Sequence, residues 1–107
     1  MTLEPTPIFR CRSRDGRYVF DILPGQSVRV GRSQEHSDIA IDSNMLCRIH
    51  AVFHHRGSKC VLEYGPNPTS PISVNGESIG KEGITLNTGD SIKFNYRVIF
   101  ELERFDP

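Results

Sequence analysis

The sequence predicts an all-β protein of eleven short strands, the signature of a sandwich or barrel, with a sandwich of two sheets expected. Three observations carry this reading. Runs of three to seven residues rich in Val, Ile, Phe and Tyr recur along the chain, separated by Gly, Pro, Asn and Asp at regular intervals. No stretch shows the 3.6-residue apolar period of a helix. Where a run is long enough to test, as in Val98-Ile99-Phe100-Glu101-Leu102-Glu103, it alternates: Val98, Phe100 and Leu102 fall on one face, Ile99, Glu101 and Glu103 on the other. Two facing sheets would bury the first set.

In chain order, strands are expected near Ile8–Arg12, Arg17–Leu23, Ser27–Gly31, Asp38–Ile41, His50–His55 and Lys59–Tyr64. They continue near Ile72–Val74, Glu77–Ile79, Ile84–Leu86, Ser91–Phe94 and Val98–Glu103. Asp15-Gly16 and Asn75-Gly76 are hairpin signals, because Gly accepts positive φ and Asn or Asp does so more readily than most residues. Pro24-Gly25 and Thr88-Gly89 close two further connections. Three connections are irregular and polar: Arg32–Ser37, Asp42–Leu46 and Gly65–Pro71. Loops of a sandwich gather at its ends, and binding sites are commonly built there. There is no repeat or linker, and residues 1–6 and 104–107 read as loose ends.

The length of 107 residues suits one domain over residues 1–107, with its core at about 8–103. Lys plus Arg number 13 and Asp plus Glu number 13, a net charge of zero, which argues against a protein held to nucleic acid mainly through phosphates. No apolar run reaches membrane-spanning length, and the first seven residues lack the pattern of a secretory signal. The three cysteines, Cys11, Cys47 and Cys60, are widely spaced and odd in number, so neither a disulfide framework nor a zinc site is indicated. Cys11 and Cys60 fall in alternating runs and read as small core residues.

The chemistry concentrates in two loops. Gly31-Arg32-Ser33 and Cys47-Arg48-Ile49-His50 each offer a guanidinium between strand-like runs. A guanidinium matches phosphate oxygens through bidentate, charge-assisted hydrogen bonds. Histidines His36, His50, His54 and His55 raise the question of acid–base or metal chemistry. Adjacent His54 and His55 point to opposite faces of a strand, however, and no triad or metal-ligand spacing emerges. An enzyme is therefore not expected, nor a metal or cofactor.

Val30-Gly31-Arg32-Ser33, Ser37-Asp38-Ile39-Ala40-Ile41 and Cys47-Arg48-Ile49-His50-Ala51-Val52-Phe53, in that order, resemble the forkhead-associated (FHA) domain. Val74-Asn75-Gly76 and Leu86-Asn87-Thr88-Gly89-Asp90 fit the same family, so the resemblance runs from about Ile8 to Leu102. It implies an eleven-stranded sandwich of the FHA/SMAD-like kind that is non-catalytic and reads phosphothreonine peptides with loops at one end. Arg32 then matches the phosphate-binding arginine, otherwise a solvated loop residue. Gly31 matches the glycine that lets the strand end turn sharply, and His50 a histidine that braces the loops by hydrogen bonds. Arg48 matches a basic residue that adds a phosphate contact or faces solvent. Cys47 takes the place of a serine whose hydroxyl bonds the phosphate. It reads as a remnant of that pocket, a buried hydrophobe or a reactive thiol.

The loop Gly65-Pro66-Asn67-Pro68-Thr69-Ser70-Pro71 resembles the third recognition loop of FHA domains from DNA-repair proteins. Asn67 is its candidate for holding the peptide backbone, or is simple turn chemistry before a proline. Thr69 joins the candidate phosphopeptide set, and Asn75 is expected to support the site. A thiol is a weak donor. Losing one hydrogen bond to a charged group costs about 1.5–3 kcal/mol, or roughly ten- to hundredfold in affinity. Two functions are thus expected. One is a homodimerising module with a weakened phosphothreonine pocket, serving a nuclear DNA-damage or cell-cycle scaffold; the start at Met1 suits an N-terminal position in a checkpoint mediator. The other is a working phosphothreonine-peptide reader. Apolar residues on both faces, Val52-Phe53 and Ile99-Phe100, would supply an outward patch for the dimer.

Overall fold

The computed structural model describes residues 6–95 and 97–106. Eleven strands run in chain order: β1 Ile8–Ser13, β2 Val19–Ile22, β3 Ser27–Gly31, β4 Ile39–Ala40, β5 Ala51–Arg56 and β6 Lys59–Tyr64. They continue as β7 Ser73–Val74, β8 Glu77–Ser78, β9 Ile84–Leu86, β10 Ser91–Lys93 and β11 Ile99–Phe105. They form a six-stranded sheet in the order β2-β1-β11-β10-β7-β8 and a five-stranded sheet in the order β4-β3-β5-β6-β9. The β3–β4 pair is parallel and the other pairs are antiparallel.

Alternation explains the core. Phe9 and Cys11 of β1, Phe20 and Ile22 of β2, and Phe100 and Leu102 of β11 face Val28, Val30, Phe53, Cys60 and Leu62 of the other sheet. Phe20 meets Phe53 and Phe100 edge-on, both at 5.6 Å between ring centroids, and Phe94 lies 5.5 Å from Phe100. Each wholly buried side chain of this kind contributes roughly 1.5–3 kcal/mol, with aromatic pairs adding to it. Cys11 and Cys60 are both wholly buried; burial raises the Cys11 thiol well above its usual range and the Cys60 thiol to about 12. His55 is buried too, with Nε2–H donating to the Pro7 carbonyl at 2.7 Å and its ring 5.1 Å from Phe9.

Several boundaries differ from the sequence expectation. β2 starts only at Val19, because the Asp15 carboxylate collects the Ser13 hydroxyl at 2.7 Å and the Arg17 amide at 3.0 Å. That turn holds Arg17 and Tyr18 out of the ladder. His50 lies outside β5, in the preceding loop. Arg104 and Phe105 are not loose ends: β11 reaches Phe105, which pairs with Ile8. The expected loose ends at 1–5 and 107, with Met1, lie outside the described residues.

The expected outward patch is also different. Of the four residues expected there, Phe53 and Phe100 are wholly buried, and Val52 and Ile99 are half-exposed on the outer faces. Around Ile99 the outer face of the six-stranded sheet carries cross-strand ion pairs: Arg10 with Asp21 at 2.7 Å, Arg12 with Glu103 at 3.8 Å and Arg14 with Glu101 at 3.7 Å. Alternation put most apolar residues inside and left these charges outside.

Candidate functional site

β3 ends at Gly31, and the chain then runs against the backbone that precedes β5. The Arg32 amide donates to the Cys47 carbonyl at 2.9 Å and the Ser33 amide to the Arg48 carbonyl at 3.2 Å. The Ser37 hydroxyl donates to the same Arg48 carbonyl at 2.6 Å. Gly31 is required by this approach and not by a special φ: a Cβ there would strike the Arg48 carbonyl. Gly65 answers it from the other side, where a Cβ would strike the Ile49 carbonyl. The Arg48–Ile49 backbone is thus gripped between two glycines.

His50 fastens the same loop from within. Its Nδ1 accepts the Cys47 amide at 3.1 Å, and its ring packs 5.0 Å from Phe94. Burial lowers its pKa, so the neutral ring, with its proton on Nε2, is the form that makes this bond. Nε2 has no partner among the described residues.

The third loop, Gly65–Pro71, closes over Cys47. The Cys47 sulfur lies 3.2 Å from the Thr69 hydroxyl and 3.7 Å from the Asn67 carbonyl. Tyr64 fixes the exit of this loop. Its hydroxyl accepts the Ile72 amide at 3.1 Å and donates to the Ile79 carbonyl at 3.0 Å.

Between these loops lies a cleft of about 480 Å³ lined by Arg32, His36, Leu46, Cys47, Arg48, Ile49, Pro66, Asn67 and Thr69. Five candidates picked from the sequence, Arg32, Cys47, Arg48, Asn67 and Thr69, therefore share one cavity, although Asn67 lies 35 positions after Arg32. Arg32 lines the cleft and donates one bond, Nε to the Leu46 carbonyl at 3.1 Å. Arg48 is exposed, and its side chain has no partner among the described residues. Two guanidiniums with free N–H groups above a polar rim make an anion site of the kind phosphate requires.

Asn75 belongs elsewhere. Its Nδ2 donates to Asp90 at 2.9 Å and its Oδ1 accepts the Ser91 amide at 3.0 Å. Ser91 starts β10, whereas Phe94, just past the other end of that strand, is the residue that packs on His50. Asn75 supports the β7–β8 hairpin and not the cleft; its φ of 53° with Gly76 at 88° is the tight turn its sequence predicts.

Sequence reading missed His36, Leu46, Ile49 and Pro66 as cleft walls. The signal for His36 was its spacing from Ser33. That hydroxyl accepts the His36 amide at 3.2 Å and meets its Nδ1 at 2.9 Å, a local turn chemistry available to Ser. His54 and His55 do face opposite ways, one toward Glu63 at 3.4 Å and one into the core. Among the described residues no cluster of His, Cys, Asp or Glu forms a metal site.

Comparison with known proteins bears on this geometry. The FHA domain model matches residues 28–95, more than half of the chain. No curated protein matches the sequence. Among solved structures, the solution structure of the FHA domain of an Arabidopsis thaliana hypothetical protein is similar with a TM-score of 0.84 and 20% identity, over 100% of this chain and 93% of that one. Mycobacterium tuberculosis EmbR, solved with a low-affinity phosphopeptide, is similar with a TM-score of 0.80 and 23% identity, over 94% of this chain. This chain spans only 25% of EmbR's length. A structure from work on phosphothreonine-dependent FHA domain interactions gives a TM-score of 0.76 and 20% identity, over 92% and 96% of the two chains. At such identities these likenesses establish the fold.

Proposed function

The chain belongs to the FHA domain family, and on that premise we propose that it is a non-catalytic interaction module whose Arg32–Arg48 cleft takes a phosphothreonine peptide. The observation that carries this is the convergence of three sequence-distant loops on one cleft in which two guanidiniums keep free donors. Arg32 and Arg48 would hold the phosphate. Asn67, at the rim, would hold the peptide backbone beside it. Neighbouring structures of the family were solved with a phosphopeptide or in phosphothreonine-dependent work, which supports the choice of ligand.

The pocket is weakened at Cys47. A thiol stands where a hydroxyl would donate strongly, and it already leans on Thr69. Calorimetry with a phosphothreonine peptide and its unphosphorylated twin tests the reading. Wild type binds only the phosphorylated form, and Cys47→Ser tightens it by about tenfold, the worth of one bond to a charged group. No phosphate-dependent binding by either form would remove the reading.

Self-association is the second activity we carry. Val52 and Val61 are half-exposed on the outer face of the five-stranded sheet, in adjacent strands, and the net charge of zero removes long-range repulsion between copies. Sedimentation at micromolar concentration decides it, and a strictly monomeric species refutes it. Service in a nuclear DNA-damage or cell-cycle scaffold follows from family analogy alone. Localisation of the full-length protein in cells, with and without DNA damage, is its test.

A further inference from the structure

We propose that His36 is a third cation of the cleft, which makes phosphopeptide binding tighten as pH falls toward neutrality and below; this rests on the phosphothreonine reading above. The imidazole lines the same cleft as both guanidiniums. Its orientation is not left to chance. The Ser33 hydroxyl, itself holding the His36 amide at 3.2 Å, meets Nδ1 at 2.9 Å, and the Ser37 amide donates to the Ser33 carbonyl at 3.0 Å to fix the turn. With Nδ1 occupied, Nε2 is the nitrogen left for a ligand. Imidazole is the side chain that ordinarily changes charge between pH 5 and 8.

The surroundings decide what that change does. From the β3–β4 loop, Arg32 faces the same space. Asp38, on that loop, is held by Arg29 at 3.2 Å, and Glu35 makes no ion pair among the described residues. From the β4–β5 loop come Arg48 and the Cys47 thiol, and from the β6–β7 loop only the neutral Asn67 and Thr69. A phosphate dianion in the cleft favours a positive charge on the imidazole that lines it, so binding the phosphopeptide takes up a proton on His36. By linkage, affinity rises as pH falls through the imidazole range. The other histidines do not imitate this. His54 is bound on the outer face by Ser27 at 2.6 Å and by Glu63 at 3.4 Å, and protonating His50 would break its bond to Cys47 and weaken the site.

The experiment is calorimetry of a phosphothreonine peptide at pH 8.0 and 6.5 for wild type, His36→Gln and His36→Lys. A phosphothreonine still carries most of its second charge at the lower pH, since that ionisation lies near 6. Its partial loss weakens every form alike, so the reading is the wild-type ratio relative to that of His36→Gln. Wild type is expected to gain about two- to fivefold over His36→Gln between the two pH values, the scale of an exposed ion pair. His36→Lys, a permanent cation, is expected to bind as tightly at pH 8.0 as wild type does at 6.5. Phosphate-dependent binding with the same pH ratio in wild type and His36→Gln overturns the role of His36 and leaves the reader intact. Weaker binding by His36→Lys at pH 8.0 than by wild type overturns it as well, because it assigns His36 a purely structural part. Absence of phosphate-dependent binding in all three proteins overturns both readings.

Discussion

Two polar regions of this sandwich are built from similar residues and do opposite things. Around the β7–β8 hairpin, Asn75, Asn87, Asp90 and Ser91 close a ring of hydrogen bonds on themselves. Asn75 gives to Asp90 at 2.9 Å, the Asn87 amide gives to Asp90 at 2.7 Å, and Asn75 and Ser91 exchange bonds at 2.8 and 3.0 Å. Around Arg32 and Arg48 the backbone is tied too, the Arg32 amide to Cys47 and the Ser33 amide to Arg48, but the guanidiniums keep free donors. A polar loop whose donors meet each other stabilises a fold. A polar loop whose backbone is fixed while its charged donors stay open is prepared for a ligand, because the cost of ordering it was met on folding.

Substitutions should separate the two regions. The largest effect is expected from Gly31→Ala. The new Cβ meets backbone that cannot rotate away, so the loops must part, costing about 1–3 kcal/mol as overpacking does and removing peptide binding with it. Denaturant unfolding together with calorimetry reads both. Arg32→Ala should leave the unfolding midpoint nearly unchanged and weaken phosphopeptide binding by roughly ten- to hundredfold, the worth of one lost charge-assisted contact. A loss of stability without a loss of affinity would break the comparison.

Asn75→Ala is the mirror image. It removes two side-chain bonds and places Ala at positive φ, so about 1–2 kcal/mol of stability is expected to go with phosphopeptide affinity unchanged. Coupling of that variant to affinity would mean that the hairpin belongs to the site after all.

The smallest effect is one of pH. Burial holds the folded-state pKa of His50 below the ordinary imidazole value of 6.5, so the folded protein binds its proton less readily than the unfolded chain. The contribution is fully present above about 6.5 and lost as pH falls below it toward the folded value. Stability measured from pH 7.5 down to 5.5 should decline. His50→Gln should flatten that decline, although Gln at 50 also costs stability at neutral pH by disturbing the packing on Phe94.

Most of the fold was legible because its signals are local. Alternation placed Phe100 and Leu102 inside and Glu101 outside, and Asn75-Gly76 announced its turn. Strand ends were less legible where side chains compete with the ladder: Asp15 draws Arg17 out of β2, and nothing in the run Arg17–Leu23 announces it. The cleft was legible as a set of arginines in loops. Its walls were not, since Leu46, Ile49 and Pro66 look like any loop apolars until three segments are brought together. The reason for Gly31 was misread for the same cause. Its sequence suggests a sharp turn, while its true neighbour lies 17 positions further on, at Arg48.

The two glycines that grip the Arg48–Ile49 backbone have a bearing on how such a domain can change its taste. Main chain packs on main chain there, so the Arg48–Ile49 segment of the platform is shaped by the two glycines and not by a side chain that a peptide would touch. Positions 36, 47, 48, 67 and 69 can then be exchanged, as a set of tips on a fixed handle, without redrawing the loops beneath them. A library randomised at those five positions with Gly31 and Gly65 held constant should yield folded proteins at high frequency and a spread of peptide preferences. The same library with either glycine freed should not.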